Sequence, residues 1–166
     1  MMRPSKPAAR LFASVALALA MALPVAAQTQ VALGGLNVDR SAPVEVTADS
    51  LRVEQTTRSA VFEGNVVIGQ GEMRISAARV EVAYGADNSQ IARLVASGGV
   101  TFVTATEQAE AQEAVYDVAN GRLTLTGDVL LAQGGNALSA ESMDIDLATG
   151  AASMAGRVTT VFGAAN

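Results

Sequence analysis

One short pattern recurs four times along this chain: a residue followed by Ala, an alternating apolar run, and then Gly-x-Val. The copies run from Thr47-Ala48 to Gly64-Asn65-Val66, Ser76-Ala77 to Gly98-Gly99-Val100, Glu110-Ala111 to Gly127-Asp128-Val129, and Ser139-Ala140 to Gly156-Arg157-Val158. The glycines lie 34, 29 and 29 residues apart, and Ala to Gly spans 16 residues in every copy but the second, where it spans 21. A period of this size marks one supersecondary unit stacked on itself. No single unit can bury its apolar face alone, so the stack shares a continuous apolar interior.

Within each unit the periodicity is two. Val44, Val46 and Ala48 alternate with Glu45 and Thr47, and Leu51 and Val53 alternate with Arg52 and Glu54. This is the pattern of a half-buried strand. The step from Ala48 to Leu51 breaks the parity, and the same three-residue step recurs at Ala77–Val80, Ala111–Ala114 and Ala140–Met143. A break repeated at one place predicts a bulge or bend in every unit. Positions four and two before each Gly, and two and four after it, are mostly apolar, as in Ala60, Phe62, Val66 and Ile68. The same reading puts the Gly on the apolar face as a bend or a point of close approach. Gln55–Ser59, Gly85–Ser89, Ala119-Asn120-Gly121 and Ala148-Thr149-Gly150 read as hairpin turns within units. Thr106–Val115 has helical composition, but the repeat alignment predicts a strand there. The fold class expected is all-β, built from four hairpin-like repeats.

The chain divides into four parts. Arg3, Lys6 and Arg10 precede the uncharged run Leu11–Leu23 and the small residues Val25-Ala26-Ala27, the layout of a secretory signal peptide over residues 1–27. A run of 13 residues is short for a membrane span. Residues 28–43 form a flexible leader or at best an edge strand, 44–162 the β-domain, and 163–166 a short tail. No Cys follows the apolar run, which excludes lipoprotein processing. Beyond residue 27 the chain keeps eight Arg, no Lys and 16 acidic residues, a net charge of −8. That balance argues against nucleic acid as a partner. With neither His nor Cys, the chain cannot hold a conventional zinc site, attach a c-type haem or use a Cys or His nucleophile–base pair.

Among the remaining groups, Asp144 and Asp146 share a strand face, as Glu45 and Asp49 approximately do; outward carboxylates on strands usually serve solvation and block edge pairing. Ser50, Ser59, Ser76 and Ser139 lack a His or Lys partner. No catalytic, metal or cofactor site is expected. What remains is the apolar stripe. It suits either the dry, closed core of a structural secreted β-solenoid or an elongated groove for long acyl chains, each buried methylene being worth about 0.8 kcal/mol.

Specific residues point to a family. Pro43-Val44-Glu45-Val46-Thr47-Ala48-Asp49, Ala60-Val61-Phe62-Glu63-Gly64-Asn65-Val66, and Ile75-Ser76-Ala77 with Val80-Glu81-Val82 resemble the LptA-type, OstA-like N-terminal domain family of periplasmic lipopolysaccharide-transport proteins. The terminal Arg157-Val158-Thr159-Thr160-Val161-Phe162 is similar to that family's last strand. The resemblance runs from Pro43 to Phe162. It implies a β-jelly-roll of V-shaped antiparallel strands with open ends, located in the periplasm of a Gram-negative envelope and serving outer-membrane assembly. It also implies lipopolysaccharide binding through the acyl chains and no enzymatic activity. The implied partners are an inner-membrane-anchored transport protein of similar fold, the outer-membrane lipopolysaccharide translocon, and further copies of the chain stacked head to tail by strand addition. The resemblance carries the lipid-lining role onto Val53, Phe62, Val66, Ile68, Val80, Val82, Leu94, Phe102, Tyr116, Leu123, Leu125, Val129, Met143, Ile145 and Met154. It carries the partner edges onto Val44, Val46 and Val53 at one end and Val158, Val161 and Phe162 at the other. The acidic, lysine-free surface departs from what an anionic head group needs and leaves that group either to Arg52, Arg58, Arg74, Arg79 or Arg93 or in water.

Overall fold

Alternating apolar residues, glycine-rich tips and few helix-favouring stretches give eleven strands among the described residues, all in one open antiparallel sheet. The protein is seen as a computed structural model that describes residues 29–32, 38–86 and 90–163. The predicted signal peptide, residues 87–89 of the Gly85–Ser89 turn, and residues 164–166 lie outside the described residues.

The strands are β1 (Thr29–Ala32), β2 (Glu45–Thr47), β3 (Ser50–Glu54), β4 (Ser59–Gln70), β5 (Met73–Tyr84), β6 (Ile91–Val103), β7 (Glu107–Asp117), β8 (Arg122–Gln133), β9 (Asn136–Asp146), β10 (Ala151–Ala155) and β11 (Thr159–Val161). Their order in the sheet is β1-β10-β9-β8-β7-β6-β5-β4-β2, with β3 also on β4 and β11 also on β9. The stretch read against its helical composition is β7.

Each long strand pair is broken near its middle, and these breaks align; β5 and β6 shift once more at their end, between Ala83 and Tyr84. Register jumps between Glu63 and Val66, Ser97 and Val100, and Thr126 and Val129. At each jump two residues oppose one on the neighbour, which defines a bulge. The paired residues are Gly64-Asn65, Gly98-Gly99 and Gly127-Asp128, and Gly156-Arg157 repeats the motif between β10 and β11; all eight have positive φ. Two successive left-handed residues turn the chain sharply, and only glycine adopts the first conformation without strain. The aligned bulges therefore crease the sheet along its length into two leaves. One leaf holds β3, the first halves of β4, β6 and β8, the second halves of β5, β7 and β9, and β10 and β1. The other holds β2, the complementary halves, and β11.

The glycines do not sit on the apolar face, as the alternation suggested. A Cβ at Gly64, Gly127 or Gly156 would strike the side chain of Asp49, Gln112 or Glu141 at 2.5–2.8 Å, and those three are exposed. In the same copies the second bulge residue reaches that side chain. Asn65 Nδ2 donates to Asp49 Oδ2 (2.8 Å), Gln112 Nε2 to Asp128 Oδ2 (2.7 Å), and Arg157 Nε to Glu141 Oε1 (3.1 Å). In the second copy both partners are small, Ala78 and Gly99. The double left-handed turn explains the difference: it swings the glycine outward while the residues two before and two after it both face inward.

Gly98 and Gly99 separate strain from contact. A Cβ on Gly99 meets nothing within 4 Å, whereas one on Gly98 lies 2.8 Å from the Ala78 Cβ. Gly99→Ala is expected to cost about 1–2 kcal/mol, the left-handed penalty alone. Gly98→Ala is expected to cost more because Ala78 has no flexible end to move aside. Urea unfolding of the two variants measures the difference.

Candidate functional site

The candidate site is the space between the leaves. Inward residues of the first leaf include Val80, Val82, Leu94, Tyr116, Leu123, Leu125, Met143, Ile145 and Met154; those of the second include Val66, Ile68, Phe102 and Val129. All are 0–1% exposed and belong to one apolar cluster. The structure thus brings thirteen of the fifteen expected lining positions into a single buried interior. Phe62 is half-buried beside it. Val53 is 63% exposed. It stands opposite Ala60, on the inward side of the crease, where no further strand among the described residues covers it. Met73, Ile75, Leu131, Leu138 and Leu147 share the interior but were not among the expected lining residues. Met73, Ile75 and Leu138 start strands, where the alternation is too short to be read.

The hairpin turns of the two leaves form a long seam opposite the crease, and a polar tie crosses it. Tyr116 lies in the first leaf and Gln70 ends β4 in the second. The Tyr116 hydroxyl donates to Gln70 Oε1 at 2.5 Å, and both residues are buried. Gln70 Nε2 donates in turn to the backbone oxygens of Ala42 (3.0 Å) and Arg40 (3.3 Å). Arg40 then reaches back across the seam and donates to Ala119 O (3.0 Å) in the β7–β8 turn. Its guanidinium lies where a side chain on Gly121 would stand. Residues 38–44 therefore form a strap between the leaves. Val38 and Val44 pack on the core, and Ser41 donates through both N–H and hydroxyl to Asp39 Oδ1. Gln70 and the strap escape sequence reading because a lone Gln and a short leader carry no periodic signal.

Burial in this apolar setting pushes the Tyr116 phenol up from its ordinary value of 10.0, against a lesser downward pull from Arg40. At the seam's turns, carboxyls are held low by local donors: Asp39 by the Ser41 hydroxyl, Asp117 by the Asn120 side chain, and Asp146 by the N–H groups of Thr149 and Ala148. These are turn caps with no convergent partner. Glu107 is buried on the second leaf's rim and accepts from the Thr104 hydroxyl at 2.5 Å. Among the described residues, no three acidic groups converge as a metal site requires.

The two ends of the stack differ. At the first, β2 and β3 each pair with half of β4, and no other strand among the described residues takes their outer edges. Val44 and Val46 are half-buried there, while Leu51 (56%) and Val53 (63%) are bare. At the other end, β11 pairs with β9 and has a free outer edge, with Val158 half-buried and Val161 and Phe162 exposed. The neighbouring edge of β10 is taken by β1, which pairs with it from Thr29↔Met154 to Ala32↔Ala151. Of the arginines expected near a head group, Arg79 pairs with Glu63 at 2.5 Å and Arg52 lies 3.9 Å from it. Arg74 donates to the backbone oxygens of Gly71 and Met73, and Arg58 to that of Ala86. Such exposed pairs contribute little to stability.

Comparison with known proteins assigns the class. Residues 45–151 match the profile of the LptA/(LptD N-terminal domain) LPS transport proteins, more than half of the chain. An uncharacterized protein of Rhizobium meliloti (strain 1021) is 28% identical over 164 residues, covering 90% of this chain and 88% of its own. Among solved structures, LptH of Pseudomonas aeruginosa, described as the LptA homologous periplasmic component of the lipopolysaccharide transport device, superposes with a TM-score of 0.59. It is 21% identical and covers 77% of this chain and 87% of its own, a likeness of fold. The class that the profile describes is one of LPS transport proteins. The chain belongs to the LptA/LptD N-terminal-domain family of LPS transport proteins.

The tie across the seam makes two predictions. Tyr116→Phe leaves Gln70 Oε1 without its donor and is expected to cost about 1–3 kcal/mol at neutral pH, read by chemical denaturation. A phenol whose pKa is raised by folding gives stability that is complete below pH 10.0 and declines as the pH rises further, because the unfolded chain ionises first. Beyond residue 27 there is no Lys or Cys, and Tyr84 and Tyr116 are the only tyrosines, so few other side chains titrate there. Stability should fall above pH 10, and Tyr116→Phe should flatten that fall.

Proposed function

We propose that this chain is a periplasmic carrier that holds lipopolysaccharide by its acyl chains between the two leaves and passes it from the inner to the outer membrane. The observation that carries this reading is the single apolar interior running from one open end of the stack to the other. Membership of an LPS transport family supports it, as does the periplasmic role stated for LptH. In this reading Phe62 and Val53 stand at the entrance, and the lining residues named above receive the chains. Lipopolysaccharide bearing several acyl chains needs the leaves to part, since the lining is closed to solvent in the state described. The seam tied by Tyr116, Gln70 and the strap is where they part.

Strand addition at the free edges then joins like modules head to tail. Val44, Val46 and Val53 mark one edge and Val158, Val161 and Phe162 the other. The partners are further copies, an inner-membrane-anchored protein of similar fold and the outer-membrane lipopolysaccharide translocon, all within outer-membrane assembly. The closed-core structural reading has one observation in its favour, the near-zero exposure of the lining.

In-cell photo-crosslinking separates the two. A photoreactive residue replaces Phe62 or Ile145 on the lining, with Asp144 as the outward control. Lipopolysaccharide adducts at the two lining sites alone are expected; a folded protein without adducts at any site would establish the closed core. Phe62→Asp places a charge at the half-buried entrance and should abolish loading while the protein stays folded, checked by circular dichroism. Normal loading by that variant would sink the groove assignment.

A further inference from the structure

The edge of β10 is already filled by the chain's own β1, and β1 fills it in the manner of a neighbouring copy's β3. Four observations converge. First, direction: β1 runs antiparallel to β10, from the crease towards the seam. β3 runs antiparallel to the first half of β4 and so in that same direction within the same leaf. A copy translated along the stack, without rotation, would lay its β3 antiparallel on β10. Second, extent: β10 and β3 are each five residues long, and β1 covers four of β10's five. The companion pair, β2 and β11, is three residues against three, and the same translation sets them antiparallel.

Third, side-chain parity agrees. Thr29 and Val31 face Met154 and Ala152, the two inward residues of β10. Leu51 and Val53 have the same spacing and the same inward sense, opposite Phe62 and Ala60. Leu51 would take the place of Thr29, with a larger apolar side chain, and Val53 that of Val31 with an equal one, and Leu51 and Val53 are both now bare. Fourth, the hold of β1 is slight. It makes four residue pairs where the long strands make nine or ten. Thr29 and Gln30 are exposed and Val31 is only half-buried.

We propose that β1 is an intramolecular cap that occupies the strand-addition edge of β10 and must be displaced by β3 of a second copy before stacking is complete. The inference rests on the head-to-tail stacking proposed above. It adds that stacking is an exchange of one strand for another, with the leader setting the concentration at which it occurs. A free β10 edge with its apolar flank would otherwise be a standing site for uncontrolled pairing. The exchange puts Leu51 where Thr29 stood and covers the bare Leu51 and Val53, and so favours the stacked state by the extra apolar area removed from water.

The test uses the chain from residue 28 onward and measures mass by light scattering across a concentration series. Val31→Asp loosens β1 at a half-buried edge position without touching the core strands, and it should assemble at a concentration roughly tenfold or more below that of the unaltered chain. Adding Val53→Asp, which charges the incoming β3, should reverse this. Gln30 and Ser153 face each other in register, and the chain has no Cys of its own. Gln30→Cys with Ser153→Cys should therefore fasten β1 when oxidised and hold the protein monomeric, with assembly returning on reduction. Identical concentration dependence for Val31→Asp and the unaltered chain would overturn the cap and leave stacking standing. Absence of assembly in every variant, the cap loosened or not, would overturn both.

Discussion

Everything in this fold depends on one local conformation repeated in register: two successive left-handed residues beginning with glycine, at Gly64-Asn65, Gly98-Gly99, Gly127-Asp128 and Gly156-Arg157. A continuous antiparallel sheet of this length would twist as a ribbon and could bury only one face against something else. Aligned bulges crease it instead, so that one face closes on itself. Parity is kept along the glycine strand and broken on the facing one, where Ala77 and Val80 are three residues apart. Phe62 and Val66, or Leu125 and Val129, flank the crease and both point inward. The polar residues beside the bulges, Asp49, Gln112 and Glu141, hold the crease from outside. The interior owes its shape to backbone conformation more than to interlocking large side chains, which fits a chain with six aromatics in all.

The side opposite the crease has no such covalent continuity. There the leaves meet through the buried Tyr116–Gln70 hydrogen bond and the strap at residues 38–44. Hydrogen bonds in a dry setting are strong while complete and costly when a partner is lost. The crease and the seam therefore differ in kind: one is fixed by chain geometry, the other by a few replaceable contacts. In the carrier reading proposed above, the crease is the side that holds and the seam the side that yields.

Most of this architecture was legible because it is periodic. Four copies of Ala and Gly-x-Val located the strands, the bends and thirteen apolar positions that are buried in the interior, and the repeat outweighed the helical composition of Glu107–Asp117. Features outside the repeat were hidden. The direction in which the glycines project depends on two torsion angles that composition does not encode. Gln70 is one polar residue at the end of a strand, and its pairing with Tyr116 spans 46 positions. Val53 is legible as inward-facing but not as bare, since exposure there reflects where the stack ends. β1 finds its place on β10 only after the whole sheet has formed, so nothing local announces it.

The repeat has a consequence for movement along the interior. Each unit contributes two strands per leaf, and neighbouring strands lie about 4.8 Å apart, so the lining presents a similar surface about every 9–10 Å. An apolar chain displaced by one unit would exchange one set of Val, Leu, Ile and Met side chains for a near-copy. Its energy would then vary little from place to place, and no position would be a deep resting point. For a carrier of the kind proposed, such a surface would be a corrugated track of shallow steps, on which direction would come from what enters behind and what is removed ahead.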